Sequence, residues 1–179
     1  LRRPLPATTP PSPEAAAFAL PDLPVDIKIA EVLTPKINLG EDIIGLAATL
    51  SLRADFRLDS DGLAANLAAT RLDGPGGDLA LRLSYDRATT LFDLEATAAE
   101  PANGVVANAL SIEGTPALQA RLAGKGVLDD LAISLGVDVG AARLIEGNLT
   151  LARQALGRNI IANLNGDIAG LLPAAYRPF

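Results

Sequence analysis

Carboxylates are the side chains in this chain best placed to do chemistry. Asp93 and Glu95 stand two apart, Asp59 and Asp61 flank a turn, and Asp129-Asp130 are adjacent. A carboxylate pair works as acid and base when a cleft drives the two pKa values apart. These pairs have no His, Lys or Cys partner in sequence, and their simplest reading is solvated charge on strand faces and turns. The chain has no His and no Cys, which removes the usual general base, the commonest metal ligand and any disulfide framework. Gly74-Pro75-Gly76-Gly77 is rich in glycine but lacks the Gly-Lys-Ser/Thr ending of a phosphate loop. Asn148-Leu149-Thr150 matches a glycosylation sequon inside an expected strand and carries little weight. No catalytic constellation emerges, so we expect no enzyme, no cofactor and no metal.

What remains is aliphatic surface and the elements that must position it. Of 179 residues, 49% are hydrophobic but only 3% aromatic, enough apolar content to exclude disorder along the whole chain. A net charge of −6 argues against a partner bound through nucleic-acid phosphates. No apolar run approaches the roughly 18 to 20 residues that span a bilayer. Leu1 in first position and the absence of Met suggest a piece of a longer protein, in which an anchor or signal would lie elsewhere. Residues 1–24 hold seven of the 13 prolines and read as a proline-rich loop or linker, with a brief helix conceivable at Pro13–Leu20.

From Val25 the pattern changes to period two. Ile27 and Ile29 alternate with Asp26 and Lys28, and Ile37 and Leu39 with Lys36 and Asn38. In the clearest strand Leu50, Leu52, Ala54, Phe56 and Leu58 face one way, and Ser51, Arg53, Asp55, Arg57 and Asp59 the other. After the turn pair Asp61-Gly62 come Leu63, Ala65, Leu67 and Ala69, before Arg71-Leu72 breaks the alternation and marks a bulge or the strand's end. Leu79, Leu81, Leu83 and Tyr85 follow, then Phe92, Leu94 and Ala96. The spacing of Val105, Val106, Ala109 and Leu110 predicts a short helix near 101–110, with Pro101 at its start and Asn103-Gly104 as a competing turn signal. Strands then resume with Leu118, Ala120 and Leu122; with Leu131, Ile133, Leu135 and Val137; with Ile145, Leu149 and Leu151; and with Ile160, Ala162 and Leu164. A helix limited by Pro173 is expected from Asp167 to Leu172.

The reading is a mainly all-β chain of about ten or eleven short antiparallel strands, each with one apolar face. Such a face must be covered by closing a barrel, folding a sandwich or curling into a trough. Inward residues that are Leu, Ile, Val and Ala, with no second set of strands of different composition, favour the elongated curled sheet with one or two short helices. A single short helix is too small to cover so long a face, so either another apolar body lies along it or its walls nearly meet.

The order of segments carries a resemblance. A proline-rich stretch leads to Leu20-Pro21-Asp22-Leu23-Pro24-Val25-Asp26-Ile27-Lys28-Ile29, then Ile37-Asn38-Leu39-Gly40, Ile44-Gly45 and Leu50-Ser51-Leu52. Leu72-Asp73-Gly74-Pro75-Gly76-Gly77-Asp78-Leu79-Ala80-Leu81 and Glu100-Pro101-Ala102-Asn103-Gly104 follow. In this order the chain resembles, over nearly its whole length, the N-terminal half of the TamB family, inner-membrane subunits of the translocation and assembly module related to AsmA-like proteins. The resemblance implies a β-taco over 25–179, in the periplasm of a Gram-negative bacterium, held by an inner-membrane anchor outside this chain. It also implies passage of phospholipid acyl chains towards the outer membrane, and a TamA-like outer-membrane partner bound through a region outside this chain. The groove would then be lined by Ile27, Ile29, Leu50, Leu52, Phe56, Leu58, Leu67, Leu79, Leu81, Leu83, Phe92, Leu94, Leu118, Leu122, Leu131, Ile133, Leu135, Leu149, Leu151, Ile160 and Leu164. The other reading of the same residues is a structural scaffold with a dry interior that assists outer-membrane protein assembly by offering a sheet edge.

Overall fold

The computed structural model describes residues 25–127, 129–154 and 157–167. The expected linker 1–24, its brief helix and the tail helix beyond Asp167 lie outside the described residues. Nine strands form one sheet: β1 Ile27–Leu39, β2 Ala48–Leu58, β3 Gly62–Arg71, β4 Asp78–Asp86, β5 Leu91–Glu100, β6 Leu118–Val127, β7 Asp130–Val139, β8 Ala142–Gln154 and β9 Gly157–Gly166. Their spatial order is their chain order, every pair is antiparallel, and the sheet is left unclosed with β1 and β9 at its edges. Eight spacings of about 4.8 Å make it about 38 Å long across the strands.

The expectation of ten or eleven strands is corrected to nine among the described residues. Val25 precedes the first strand, and the segments around Ile29 and Ile37 belong to one 13-residue strand. Register shifts between Ile29 and Val32 and between Thr34 and Ile37 reset the alternation twice, so that one bulged strand reads as two.

Two short helical segments, α1 (Glu41–Ile44) and α2 (Val105–Ala109), lie in connections at the same end of the strands. Pro101 does not open α2, contrary to expectation. The turn signal wins: Asn103 is left-handed, with φ 64°, and donates its N–H to the Thr115 carbonyl at 2.8 Å. Thr115 Oγ1 returns a bond to Asn103 Oδ1 at 2.7 Å, closing the loop before and after α2.

The sheet curls at this end. One cavity of about 410 Å³ is lined from Leu39 on β1 to Val137 on β7, although six strand spacings would separate them by about 29 Å in a flat sheet. Gly45, which ends α1, also stands against Ala109 of α2.

The polar face is held by cross-strand charge. Lys125 Nζ lies 2.9 Å from Asp93 and Arg82 Nη1 3.7 Å from Glu95. At the end of the sheet away from the helices, Asp129 in the β6–β7 turn lies 3.4 Å from both Arg153 and Arg158, which pair with each other two residues from Leu151 and Ile160 and so share their face. The two carboxylates that stood two apart are therefore taken up in ion pairs. Exposed pairs contribute little, so Lys125→Ala is expected to change unfolding free energy by less than about 1 kcal/mol in urea titration.

Asp86 holds the β4–β5 turn, its Oδ1 accepting from the Thr89 N–H and hydroxyl, each at 2.7 Å. These bonds, the hydroxyl's first, hold its carboxyl below the ordinary 3.8. A depressed carboxylate adds stability above its unfolded pKa and loses it as pH falls through the folded value. Asp86→Asn is therefore expected to flatten the acid limb of a stability-against-pH curve below about pH 3.8.

Candidate functional site

Cross-strand partners project to the same side of a sheet, so register assigns every side chain to a face. One row runs Ile27, Leu58, Leu63, Tyr85, Phe92, Gly126, Leu131, Leu151, Ile160. The next runs Ile29, Phe56, Ala65, Leu83, Leu94, Gly124, Ile133, Leu149, Ala162. A third passes through Val32, Ala54, Leu67, Leu81, Ala96, Leu122, Leu135, Gly147 and Leu164. Leu52, Ala69, Leu79, Ala98, Ala120, Val137 and Ile145 make a fourth, and Leu50 and Leu118 stand beyond it near the helical end. Every residue expected to line a groove lies on this one face.

That face is not sealed by the polypeptide. Leu131 is 2% exposed, but Ile160 and Leu164 on the edge strand are 63% and 60% exposed. Ile27, Ile29 and Leu79 are exposed too, and the remaining expected groove residues are half-buried. No large side chain among the described residues is fully buried. An ordinary core of this aliphatic content would bury many of them.

The best-formed part of the face is the cavity beneath α2. Its walls are Leu50, Leu79, Leu118 and Val137 from the sheet, with Val105, Val106, Leu110 and Ile112 from the α2 connection. Three charged residues, Arg71, Asp78 and Glu100, stand on this mainly apolar wall. Arg71, the last residue of β3, pairs with Leu50 and belongs to the inward set, so the break that the sequence marks at Arg71-Leu72 is the strand's end. Glu100 pairs with Leu118.

The Glu100 carboxylate reaches back to α2. Oε2 accepts from the Val106 N–H at 2.9 Å and Oε1 from the Ala107 N–H at 2.8 Å, so a residue upstream caps this helix. Gly104 leaves the room: a Cβ there would stand 2.3 Å from Glu100 Cδ. Glu100→Ala is expected to cost about 1–2 kcal/mol and to speed amide exchange at Val106 and Ala107. Unchanged exchange at those two amides would mean the cap is not what holds α2.

Arg71 is more unusual. Its Nε donates to Asp73 Oδ1 at 2.9 Å, and its guanidinium lies over Gly74. The side chain is only 7% exposed, and Nη1 is buried with no partner. A buried donor on a charged group left without an acceptor costs about 1–3 kcal/mol or more. The Arg71 bond, and then the Thr49 backbone N–H, hold the Asp73 carboxyl below its ordinary value, so this carboxylate stays ionised at neutral pH.

The chain matches no family model, no curated protein and no solved structure.

The opposite, polar face has a larger concavity, of about 860 Å³, lined by residues such as Gln119, Arg121, Ser134, Asn148 and Asn163. Arg143, at its margin, is bonded to Asp138 and lies 3.2 Å from Glu146. It offers mixed donors and acceptors over small residues. Among the described residues no group of His, Cys, Asp or Glu could hold a metal ion, and no helix is long and apolar enough to cross a membrane. Sequence reasoning missed Arg71 and Glu100 on the apolar face. Their parity was readable, since both fall at the end of a period-two apolar run.

Proposed function

We propose that this chain is a segment of a TamB-like envelope protein, whose curled sheet carries phospholipid acyl chains along its apolar face between inner and outer membranes. The observation that carries the reading is the single unsealed aliphatic face, continuous over nine strands. Burial is worth about 0.8 kcal/mol per CH₂, so a chain of about 16 carbons laid there gains roughly 12 kcal/mol before ordering costs. Walls of Leu, Ile, Val and Ala hold hydrocarbon without fixing one position, which suits sliding. On this reading the protein acts in the periplasm through an anchor and a TamA-like contact supplied by other parts of the molecule.

Photo-crosslinkers at Leu52 and Leu83 test the reading in protein purified from bacterial envelopes. Phospholipid adducts are expected at both, with phospholipid travelling with the protein in native mass spectrometry. Adducts to protein alone would replace the groove with a dry scaffold.

One observation favours that second reading. Among the described residues β9 is an open edge without Pro or Lys, and its pairing with β8 has no register shift. The other edge, β1, carries Pro35 and two bulges, devices that discourage strand addition. An unprotected edge bearing the exposed Ile160, Ile161 and Leu164 suits β-augmentation by an outer-membrane strand. Cross-links from Asn163 to unfolded outer-membrane protein would support it.

A further inference from the structure

We infer that Arg71 is a headgroup anchor: the apolar cavity beneath α2 holds the tail of an amphiphile whose phosphate or carboxylate oxygen accepts the free N–H of Arg71. The inference rests on the proposed lipid reading and adds to it a fixed station. Smooth aliphatic walls alone give no reason for a lipid to stop anywhere.

The second wing of the guanidinium makes the case. Nε is spent on Asp73, which neutralises the charge and anchors the side chain in the turn between β3 and β4. Nη1 is left buried, without a partner, on a side chain that lines the cavity. A planar guanidinium that is held on one edge presents the other in a fixed direction, which suits an oxyanion. The turn lies at the ends of the strands, where a headgroup reaches water while its tail lies inward against Leu50, Leu79 and Val137. The remaining carboxylates of the wall are engaged elsewhere. Both Glu100 oxygens accept α2 amides, and Asp78 Oδ1 accepts from Thr70 Oγ1 at 2.9 Å. A volume of about 410 Å³ is within the usual range of small-molecule pockets.

The test compares dodecyl phosphate, dodecanoate, dodecanol and inorganic phosphate as competitors for a fluorescent fatty acid bound to the full chain. Wild type is expected to take the two anionic amphiphiles at least about tenfold more tightly than dodecanol, the scale of one charge-assisted hydrogen bond. Arg71→Met is expected to erase that preference while dodecanol binds as before. Should Arg71→Met fail to fold, Asp73→Asn provides the second arm: freeing Arg71 from its carboxylate is expected to strengthen anion preference. Equal binding of all three amphiphiles to wild type, or no change in Asp73→Asn, overturns the anchor and leaves the trough intact. No binding of any amphiphile sinks the trough reading itself. Inorganic phosphate competing as well as dodecyl phosphate would make the site one for a free anion and overturn the lipid assignment.

Discussion

Leu83→Arg is expected to leave the sheet assembled and to strip it of bound acyl chains. Leu83 sits mid-face, between Ala65 on β3 and Leu94 on β5, and is half-buried. An Arg stem can lie along the same apolar surface with its head towards the open side, so the cost to folding is expected to be only about 1–2 kcal/mol. Hydrocarbon laid over that position must then desolvate a charge. That costs several kcal/mol, and each 1.4 kcal/mol is a factor of about ten in affinity. Lipid retained per protein in native mass spectrometry is expected to fall more than tenfold, with the far-ultraviolet β signal unchanged. Arg82→Leu, one residue away, is the control. Arg82 faces outward beside Glu95, and its loss is expected to leave lipid content alone. Equal lipid in Leu83→Arg and wild type would show that tails do not pass over this row.

The faces were legible because a strand alternates strictly and each hairpin passes its parity to the next. Leu81 predicts its neighbours Leu67 and Ala96 through turns that keep the register unbroken. β1 was misread because two bulges reverse parity, and no local residue signal distinguishes a bulge from a strand end. Arg71-Leu72 reads as a bulge or the strand's end, and β3 does end at Arg71; what the charge conceals is that this last residue still falls on the apolar parity. Glu100 was invisible as a cap because it lies six residues before the amide of Val106, outside the window in which capping motifs are sought. Closure was the least legible property. The same alternation serves a barrel, a sandwich or a trough, and the outcome depends on whether β1 meets β9, a contact between segments more than a hundred residues apart. The cavity depends in turn on Ala98 and Ala120, whose small side chains leave space beneath α2, and smallness alone does not announce a cavity.

Gly62→Ala is expected to be the most damaging single methyl in the chain. The sequence marks Asp61-Gly62 as a turn pair, and the glycine is also the first residue of β3, buried and held at φ 148°. Its N–H donates to Asp59 Oδ1 at 3.2 Å and its carbonyl accepts from the Asp59 N–H at 3.0 Å, so its backbone is fixed from both sides. A Cβ would stand 2.0 Å from the Tyr85 carbonyl oxygen and 3.3 Å from the Arg87 nitrogen, both backbone atoms of the neighbouring strand and its turn. Neither can retreat without breaking the Gly62 to Asp86 pairing and lifting Tyr85, one of the few well-buried large side chains, from its place between Leu63 and Phe92. Strain at this φ costs about 1–3 kcal/mol, and the clash adds to it, so a loss of more than about 3 kcal/mol is expected. For a domain of this size that lowers the melting temperature by roughly 10 °C. Gly76→Ala separates the two costs. Gly76 also has a positive φ, 90°, but nothing lies within 4 Å of its missing Cβ, so it carries the conformational penalty alone. Differential scanning calorimetry of the two variants should place Gly62→Ala well below Gly76→Ala. Melting temperatures within about 2 °C of each other would mean that β3 and β4 do not approach this closely at the turn, and that the register on which the apolar face depends is looser than the pairing implies.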